Sequence, residues 1–371
     1  MTHDPASEDA PWLENSWYVA FPSGALKNGK VKPLKLAGRA LAIGRDHRGQ
    51  VFALNDQCPH RGAPLSSGSV SAAADGRDCL QCPYHGWEFQ VADGQCARVP
   101  ALVSDDPAQQ KVSSIAVATI PVLEAYGLVF VFVASPSVAA NEVEALAKAI
   151  KIPELDLPAG LVPKSTTILT VDGQYDEAVI GLVDPAHTPF VHRQWWWREG
   201  RAAKIKQKQY ELLPTGFRIP AHTPSSNSLI YKFLPGAPQT QIDFVLPGLR
   251  VESVTMGKYR LAGFTAISPV CNNQNRLMHF LYWDWPVLSL MRPIINMMAH
   301  SFLRQDGDIL ALQASATDGA ARTPSLYVGD PDEPAGWYRQ LCRAWRAQMM
   351  SESRASEFKN PVETRSLYWR T

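Results

Sequence analysis

Short runs of apolar and β-branched residues, separated by turn residues, dominate the first third of the chain. Ala40–Gly44 and Val51–Leu54 lie on either side of a polar turn, and Trp87–Val91 is followed by the turn Ala92–Gly94. Tyr126–Ala134 combines aromatic and β-branched residues, a composition typical of a buried strand. Short strands with turns between them predict a small all-β sandwich or barrel-like domain.

The pattern changes after this strand. Val138–Gly160 begins with an alanine- and glutamate-rich stretch, which predicts a helix, and continues into a connector broken by prolines. Beyond it, strand-like runs such as Leu277–Trp283 alternate with helical segments. We therefore predict an α+β protein with an all-β domain at residues 1–150 and a larger mixed domain at residues 151–371.

One apolar run, Pro286–Leu303, resembles a membrane span in length. Arg292, Pro293 and His300 interrupt it. A helix that crosses a bilayer needs about 20 residues that are apolar and carry few charges. We therefore predict a buried helix of a soluble domain here.

The composition narrows the class of protein. A chain of 371 residues with 46% apolar residues is long enough for two buried cores. Its formal net charge of +1 favours neither nucleic acid nor an anionic membrane as a partner. The polar, acidic N-terminus lacks the apolar stretch of a secretory signal, and the six cysteines are too few for a disulfide framework. We expect a cytoplasmic protein, in which cysteines close to histidines indicate a metal site.

Two short loops each contain one cysteine and one histidine beside proline and glycine. Cys58 and His60 stand in the first loop, and Cys82 and His85 stand in the second. A structural zinc would bind all four as one tetrahedral set, whereas a Rieske [2Fe–2S] cluster binds two cysteines on one iron and two histidines on the other. Zinc fingers usually pair cysteine with cysteine and histidine with histidine. The mixed pairs therefore favour the Rieske cluster, with zinc as the alternative.

A second group of candidate ligands lies between Gly181 and His192. This segment contains Asp184 and His187 as well. If Ile168–Val183 forms a helix, Asp184 and His187 lie one turn apart on the same face. A 2-His-1-carboxylate facial triad leaves three positions open for O₂ and substrate, and His187 and His192 would provide its imidazoles. The alternative is that both are structural histidines of the core.

A carboxylate for such a triad is available in the C-terminal half. Ser301–Gln313 offers both Asp306 and Asp308, and their spacing alone leaves the two as candidates. The remaining cysteines and histidines show no ligand spacing and are predicted to be structural or surface residues. They are Cys79, Cys96, Cys271, Cys342, His3, His47, His222, His279 and His300.

Three motifs resemble the terminal oxygenase component of the Rieske non-haem iron oxygenases. The loops CPHRGAPLSSG and CPYHGWEF are similar to the Rieske loops of this family, and DPAHTPFVH is similar to its D-x-x-H-x4-H motif. The segment Ser301–Gln313 resembles its E-D-x6-Q pattern, which maps the third iron ligand onto Asp306 and places Gln305 where the family has glutamate. Many relatives have asparagine where this chain has Gly181.

The resemblance implies a fold and a set of site residues. It implies an all-β Rieske domain and a catalytic domain whose antiparallel sheet surrounds a helix, the helix-grip or START-like arrangement. Asp184 would link His187 to His85 of a neighbouring subunit in a homotrimer. The implied ligands are Cys58, His60, Cys82 and His85 for the cluster, and His187, His192 and Asp306 for a mononuclear Fe(II).

The resemblance also implies an activity. The motifs look closer to vanillate and dicamba O-demethylases and to the pheophorbide a oxygenase group than to the ring-dihydroxylating dioxygenases. We expect a monooxygenase that hydroxylates or demethylates an apolar, aromatic or polycyclic small molecule. Its electrons would come from NAD(P)H through a partner ferredoxin or flavin reductase. The alternatives are a cis-dihydroxylating dioxygenase and a Rieske electron-transfer protein without oxygenase activity.

Overall fold

A computed structural model describes residues 10–72, 76–103, 106–158, 160–192, 205–224, 236–317, 326–351 and 354–370. The three consecutive tryptophans Trp195–Trp197, for which packing is a more natural sequence prediction than a role in the pocket wall, lie outside these residues. Contacts divide the chain into two compact units. The first is Trp17–Ala147, and the second combines residues up to Ser16 with Lys148–Thr371.

This division differs from the prediction at the N-terminus. The prediction placed all of residues 1–150 in one domain, but residues 10–16 belong to the second unit. The reason is a contact across the whole sequence: the Trp345 indole N–H donates to the Glu14 carbonyl at 3.0 Å, and Arg346 donates to the Ala10 carbonyl at 3.4 Å.

The first unit consists mainly of short antiparallel strands joined by turns, as predicted. Its elements are β1 (Ser16–Pro22), β2 (Lys30–Leu36), β3 (Arg39–Arg45), β4 (Val51–Asn55), β5 (Ser69–Ala72), β6 (Asp78–Gln81), β7 (Glu88–Gln90), β8 (Cys96–Arg98), α1 (Gln109–Val112), β9 (Val122–Ala125), β10 (Leu128–Val133) and α2 (Val143–Ala149). The strands form three sheets in the orders β2-β3-β4, β5-β6-β7-β8 and β1-β10-β9.

The core of the first unit reaches up to the two predicted ligand loops. Leu54, Leu80 and Phe89 from three strands are fully buried, and Cys58 and Cys82 pack in the same cluster. The strand predicted at Tyr126 begins only at Leu128, because Tyr126 and Gly127 form the preceding turn with φ angles of 57° and 71°.

The second unit is built on one large antiparallel sheet. Its elements are β11 (Ser165–Asp172), α3 (Tyr175–Val183), α4 (Thr188–Val191), β12 (Ile205–Lys208), β13 (Glu211–Leu213), β14 (Gly216–His222), β15 (Gln239–Val245), β16 (Leu249–Met256), β17 (Tyr259–Cys271), β18 (Gln274–Trp283), α5 (Pro286–Leu290), α6 (Arg292–Thr317), α7 (Glu333–Met349) and β19 (Leu367–Arg370). The sheet has the order β11-β18-β17-β16-β15-β14-β13, and β12 pairs with β19.

Helices α3 and α6 cover the same face of this sheet, which we call the inner face. On β11, Ser165 donates to the Asn296 side chain of α6 at 2.5 Å. Val171 lies on the same face of β11 and packs closely against Gly307 of α6. A Cβ atom added to Gly307 would stand only 2.8 Å from the Val171 Cγ1 atom. Helix α3 packs over the neighbouring strands. The α+β architecture, with helices held against an antiparallel sheet, confirms the predicted fold class.

Two local predictions were wrong. Residues 168–172 belong to strand β11, and only α3 is helical before Asp184. The apolar run Pro286–Leu303 is helical, but it is not a buried helix, because Leu290 and Met297 are 85% and 65% exposed. The sheet buries only one side of it, including Leu303. In the described part of the chain, no helix is long and apolar enough to cross a membrane.

Candidate metal centres

The two Cys-His loops of the first unit have the same backbone geometry. In the first, Cys58 N–H donates to Ala63 O at 2.9 Å, and Gly62 N–H donates to Cys58 O at 2.8 Å. The second loop repeats this with Cys82, Trp87 and Gly86, at 2.8 and 3.1 Å. Both glycines have positive φ, 73° and 70°, a conformation that side chains disfavour. The chain therefore uses one turn twice to present two ligand pairs.

The four side chains are separated by type. Cys58 and Cys82 are 2% and 3% exposed, whereas His85 is exposed and His60 is partly exposed. The two imidazole rings lie 4.5 Å apart, and His60 stacks on Trp87 with ring planes 6° apart. The thiols therefore form an inner pair and the imidazoles an outer pair, which is the separation that a cluster with unequal irons needs.

This arrangement does not suit a single tetrahedral zinc. Zinc holds four donors at about 2.0–2.3 Å, which brings them all close together. Within the described residues, the only group of three or more possible ligands whose atoms lie within 4.8 Å of one another is in the second unit. The four loop residues are more widely spread, as two irons require.

The polar atoms of the loops fit a [2Fe–2S] cluster. The His60 Nδ1 atom is buried and has no hydrogen-bond partner, so it is available as a ligand. Burial raises the pKa of the Cys58 thiol, while hydrogen bonds from the backbone N–H groups of His60 and Arg61 oppose this. These N–H groups would stabilise a metal-bound thiolate.

We expect His85→Cys to lower the reduction potential of the cluster while preserving it at least in part. An anionic thiolate in place of a neutral imidazole stabilises the oxidised state, and all-cysteine clusters have potentials several hundred millivolts below Rieske clusters, on the order of −400 mV for plant-type ferredoxins. A redox titration followed by visible absorption measures this. An intact cluster with an unchanged potential would exclude His85 as a ligand.

The second centre combines two segments of the second unit. Helix α3 ends before Asp184, whose ψ of 118° breaks the helix ahead of Pro185. The short helix α4 then places His187 and His192 at its two ends. Asp306 comes from the middle of α6, far along the sequence.

These three side chains converge on one point. Asp306 Oδ1 lies 3.4 Å from His192 Nε2 and 3.9 Å from His187 Nε2. Both imidazoles thus direct the same nitrogen, Nε2, towards one carboxylate oxygen. The donor set is that of a 2-His-1-carboxylate iron site. The structure therefore brings the three predicted ligands together, and it leaves Asp308 exposed on another side of α6.

The second nitrogen of each imidazole faces an acceptor. His192 Nδ1 lies 3.2 Å from Gln305 Oε1, and the His192 ring stacks on Phe302 at 3.6 Å. His187 Nδ1 lies 3.7 Å from Asp184 Oδ2, which is too far for a hydrogen bond. Metal-bound histidines usually donate this second N–H, which fixes the tautomer that presents Nε2. Asp184 is therefore placed beside a ligand, as predicted, but not on the same helix.

Gln305 is a residue of the site to which the sequence motifs assign no role. Its only signal in the sequence is its position directly before Asp306, where relatives have glutamate. Consecutive helix residues differ by about 100° in direction, so adjacency along the sequence does not predict that Gln305 and Asp306 meet the same histidine. His192 lies close to both Gln305 and Asp306 because α4 packs against α6 at this point.

Burial controls the protonation of this cluster. It raises the pKa of Asp306 to about 7, although the positive charge of Arg250 opposes the shift. It lowers the pKa of His187, and it lowers the pKa of His192 to about 4 despite the hydrogen bond with Gln305. Neutral imidazoles are the metal-binding form, and a divalent cation would restore the Asp306 carboxylate. The donor set of two imidazoles and one carboxylate thus suits Fe(II).

We expect Gln305→Leu to weaken iron binding at the second centre by about 10–100-fold, because His192 loses the acceptor that orients it. Gln305→Glu keeps an acceptor and should retain the iron. A chelator competition that reads the mononuclear iron separately from the cluster measures both variants. Equal iron affinity in Gln305→Leu and the wild type would show that the contact does not position His192.

Comparison with known proteins supports the Rieske domain and the fold. Residues 16–121 match the family of the Rieske [2Fe-2S] domain. Pheophorbide a oxygenase of Oryza sativa subsp. japonica is 32% identical over 248 residues, which cover 65% of this chain and 42% of that protein. The oxygenase component of chloroacetanilide N-alkylformylase from Rhizorhabdus wittichii is 32% identical over 181 residues, 49% of this chain and 47% of that protein. The matches span less than half the length of both relatives.

Solved structures share the fold over most of the chain. Dicamba monooxygenase bound to dicamba has a TM-score of 0.66 at 23% identity and covers 90% of this chain and 98% of its own. Pseudomonas putida NdmA with caffeine has a TM-score of 0.67 at 19% identity and covers 93% and 95%. The chain therefore carries a Rieske [2Fe–2S] domain, as its motifs predicted, and it shares the fold of dicamba monooxygenase and NdmA.

Proposed function

We propose that this protein is the terminal component of an oxygenase. It uses O₂ and externally supplied electrons to hydroxylate an apolar small molecule or to remove an O- or N-methyl group from it. The observation that carries this proposal is the convergence of His187 Nε2, His192 Nε2 and Asp306 Oδ1 in a chain that also has the Rieske loops. A protein that only carries electrons has no use for the second site.

The chain's own residues hold and orient the metals. Cys58, Cys82, His60 and His85 would hold the cluster. His187, His192 and Asp306 would hold Fe(II) from one side, which leaves positions for O₂ and substrate on the other. The iron supplies the activation of O₂ when bound, and the cluster supplies an electron to it.

Asp184 and Gln305 would position the two iron-binding imidazoles. We further propose that Asp184 receives a hydrogen bond from His85 of a neighbouring subunit in a homotrimer. This is what the resemblance to the family implies, and it supplies a route for the electron.

The overall reaction consumes one O₂, two electrons and two protons, and it gives one hydroxylated carbon and one water. If that carbon is an O- or N-methyl group, the hemiacetal or hemiaminal product collapses and releases formaldehyde. The electrons would come from NAD(P)H through a ferredoxin or a flavin reductase.

Relatives and neighbours named for dicamba and pheophorbide oxidation support an aromatic or polycyclic substrate. A cytoplasmic location agrees with the absence of disulfide bonds among the six cysteines.

Three measurements test this function. An oxygenase should contain about three irons per chain, two in the cluster and one in the triad, whereas an electron carrier contains two. A screen of aromatic methyl ethers and polycyclic compounds, scored by substrate-dependent O₂ uptake with a matched reductase, should then find turnover. With labelled O₂, incorporation of one oxygen atom supports a monooxygenase. Incorporation of two would identify a cis-dihydroxylating dioxygenase instead.

A further inference from the structure

A row of polar side chains crosses the inner face of the large sheet. Antiparallel pairing sets Arg250 of β16 opposite Thr265 of β17, Thr265 opposite His279 of β18, and His279 opposite Thr167 of β11. Residues directly opposite each other in a sheet share a face. The hydrophobic pattern of a buried sheet predicts apolar residues here, so a polar row requires a separate explanation.

This row faces the second metal centre. The helices α3 and α6, which lead to and carry the iron ligands, cover the same inner face. The charge of Arg250 affects the pKa of Asp306, His187 and His192, in each case after the larger effect of burial. Arg250 therefore lies within electrostatic reach of all three ligands, on the sheet side of the site.

His279 offers a neutral hydrogen-bond donor in this row. Its Nδ1 lies 2.8 Å from the Thr265 hydroxyl, and burial lowers its pKa to about 4, with Arg250 adding to the effect. When the Thr265 hydroxyl donates to Nδ1, the proton of the neutral ring is on Nε2. The next residue of β17 on this face is Gly263. A Cβ there would stand 3.1 Å from the ring, so the His279 imidazole packs directly over this glycine and a larger residue would displace it.

Arg250 is already matched by a carboxylate. Its Nη2 donates to Glu252 Oε2 at 2.8 Å, and Glu252 lies on the same inner face, opposite Gly263. The pair therefore has no net charge, and His279 has none. An anionic substrate bound here would lose its hydration beside the Glu252 carboxylate. Because Arg250 is already paired with Glu252, it would not compensate for that cost.

We propose that His279 and the Arg250–Glu252 pair form the polar end of the substrate pocket, and that they select a neutral, mainly apolar substrate with a hydrogen-bond-accepting oxygen over an anionic one. The accepting oxygen is a carbonyl or a comparable neutral group, which His279 Nε2–H contacts while the apolar body lies towards the iron. This inference rests on the proposed function for the role of the pocket. It also gives His279, which was predicted to be structural, a role in specificity.

Three probes of nearly equal shape test this selection. They are 4-methoxyacetophenone, which has a neutral carbonyl; 4-methoxybenzoate, which is anionic; and 4-ethylanisole, which has no second oxygen. Binding to the metal-loaded protein is measured by calorimetry with O₂ excluded, so turnover is not needed. The wild type should bind the ketone about tenfold more tightly than either other probe, as expected for one net hydrogen bond.

Two variants assign the selection to these residues. His279→Leu should reduce the advantage of the ketone over 4-ethylanisole to less than about threefold. Glu252→Gln removes the negative partner of Arg250 and preserves the shape, so the affinity for 4-methoxybenzoate should increase about tenfold or more. Glu211→Gln, an exposed change on the edge strand β13 of the same sheet, is the matched control and should change nothing.

The outcomes separate this inference from the proposed function. If the wild type binds the anion as tightly as the ketone, if none of the probes binds, or if Glu252→Gln leaves the benzoate affinity unchanged with the iron site full, the inference is wrong. None of these results bears on the iron triad. Selective binding together with an absence of oxygen incorporation in the labelling experiment would instead overturn the proposed function and leave the pocket assignment standing.

Discussion

Replacing His192 by alanine should empty the mononuclear site and abolish turnover, while the visible absorption of the Rieske cluster remains. His192 is 2% exposed, stacks on Phe302 and directs Nε2 at Asp306 Oδ1, so its ring is held as a fixed ligand of the site. Loss of one of three protein ligands removes most of the affinity of a facial triad. The cluster ligands belong to the other compact unit and should be unaffected.

Iron per chain and O₂ uptake measure this effect. Iron should fall from about three to about two per chain, with the loss confined to the triad. His300→Ala is the matched control, because His300 is an exposed histidine on α6.

Asp306→Ala should behave like His192→Ala, and the exposed Asp308→Ala should behave like the wild type. The reverse result for the two aspartates would move the third ligand to Asp308, and loss of both centres together would indicate global misfolding.

Replacing Asp184 should stop turnover without removing either metal centre. In the resembled family this carboxylate joins an iron-binding histidine to a Rieske histidine of the next subunit. Here Asp184 Oδ2 lies 3.7 Å from His187 Nδ1, and the Asp184 side chain remains partly exposed for a second hydrogen bond. We expect Asp184→Ala to lower turnover by about 100-fold, the upper end for partners of metal ligands. Iron should stay bound when iron is supplied in excess.

A second variant separates this role from a local one. Asp184 Oδ1 also accepts the Ala186 N–H at 2.6 Å, so alanine disturbs the turn as well. Asp184→Asn can keep that hydrogen bond, but its amide cannot accept from both imidazoles. In single-turnover mixing with substrate and O₂, the cluster of both variants should stay reduced. Reoxidation of the asparagine variant at the wild-type rate would restrict Asp184 to shaping the turn.

Sequence-based predictions were correct for features that depend on a few neighbouring residues, and they were wrong for features that depend on residues far away in the sequence. The strands around Val51 and Leu128 were predictable because strand propensity and turn residues act over a few positions. The helix predicted at Ile168 was wrong because those residues alternate between buried and exposed positions in β11, opposite β18. When the neighbouring strand is unknown, apolar side chains at such positions are compatible with the pattern of a helix as well as with that of a strand. For the same reason, the exposure of Leu290 depends on packing that its own segment does not encode.

The sequence by itself predicted the residue types of both centres. Each Cys-His pair and the pair His187 and His192 lie within a few residues, so the turn that holds them is local and their spacing indicates the class of metal site. The tertiary structure alone decided which distant groups complete them. Gln305 reaches His192 from 113 residues away, and strand register alone aligns Arg250, Thr265 and His279 on the face beneath the iron site. A local motif carries no information about register, because register is set by the packing of the whole sheet.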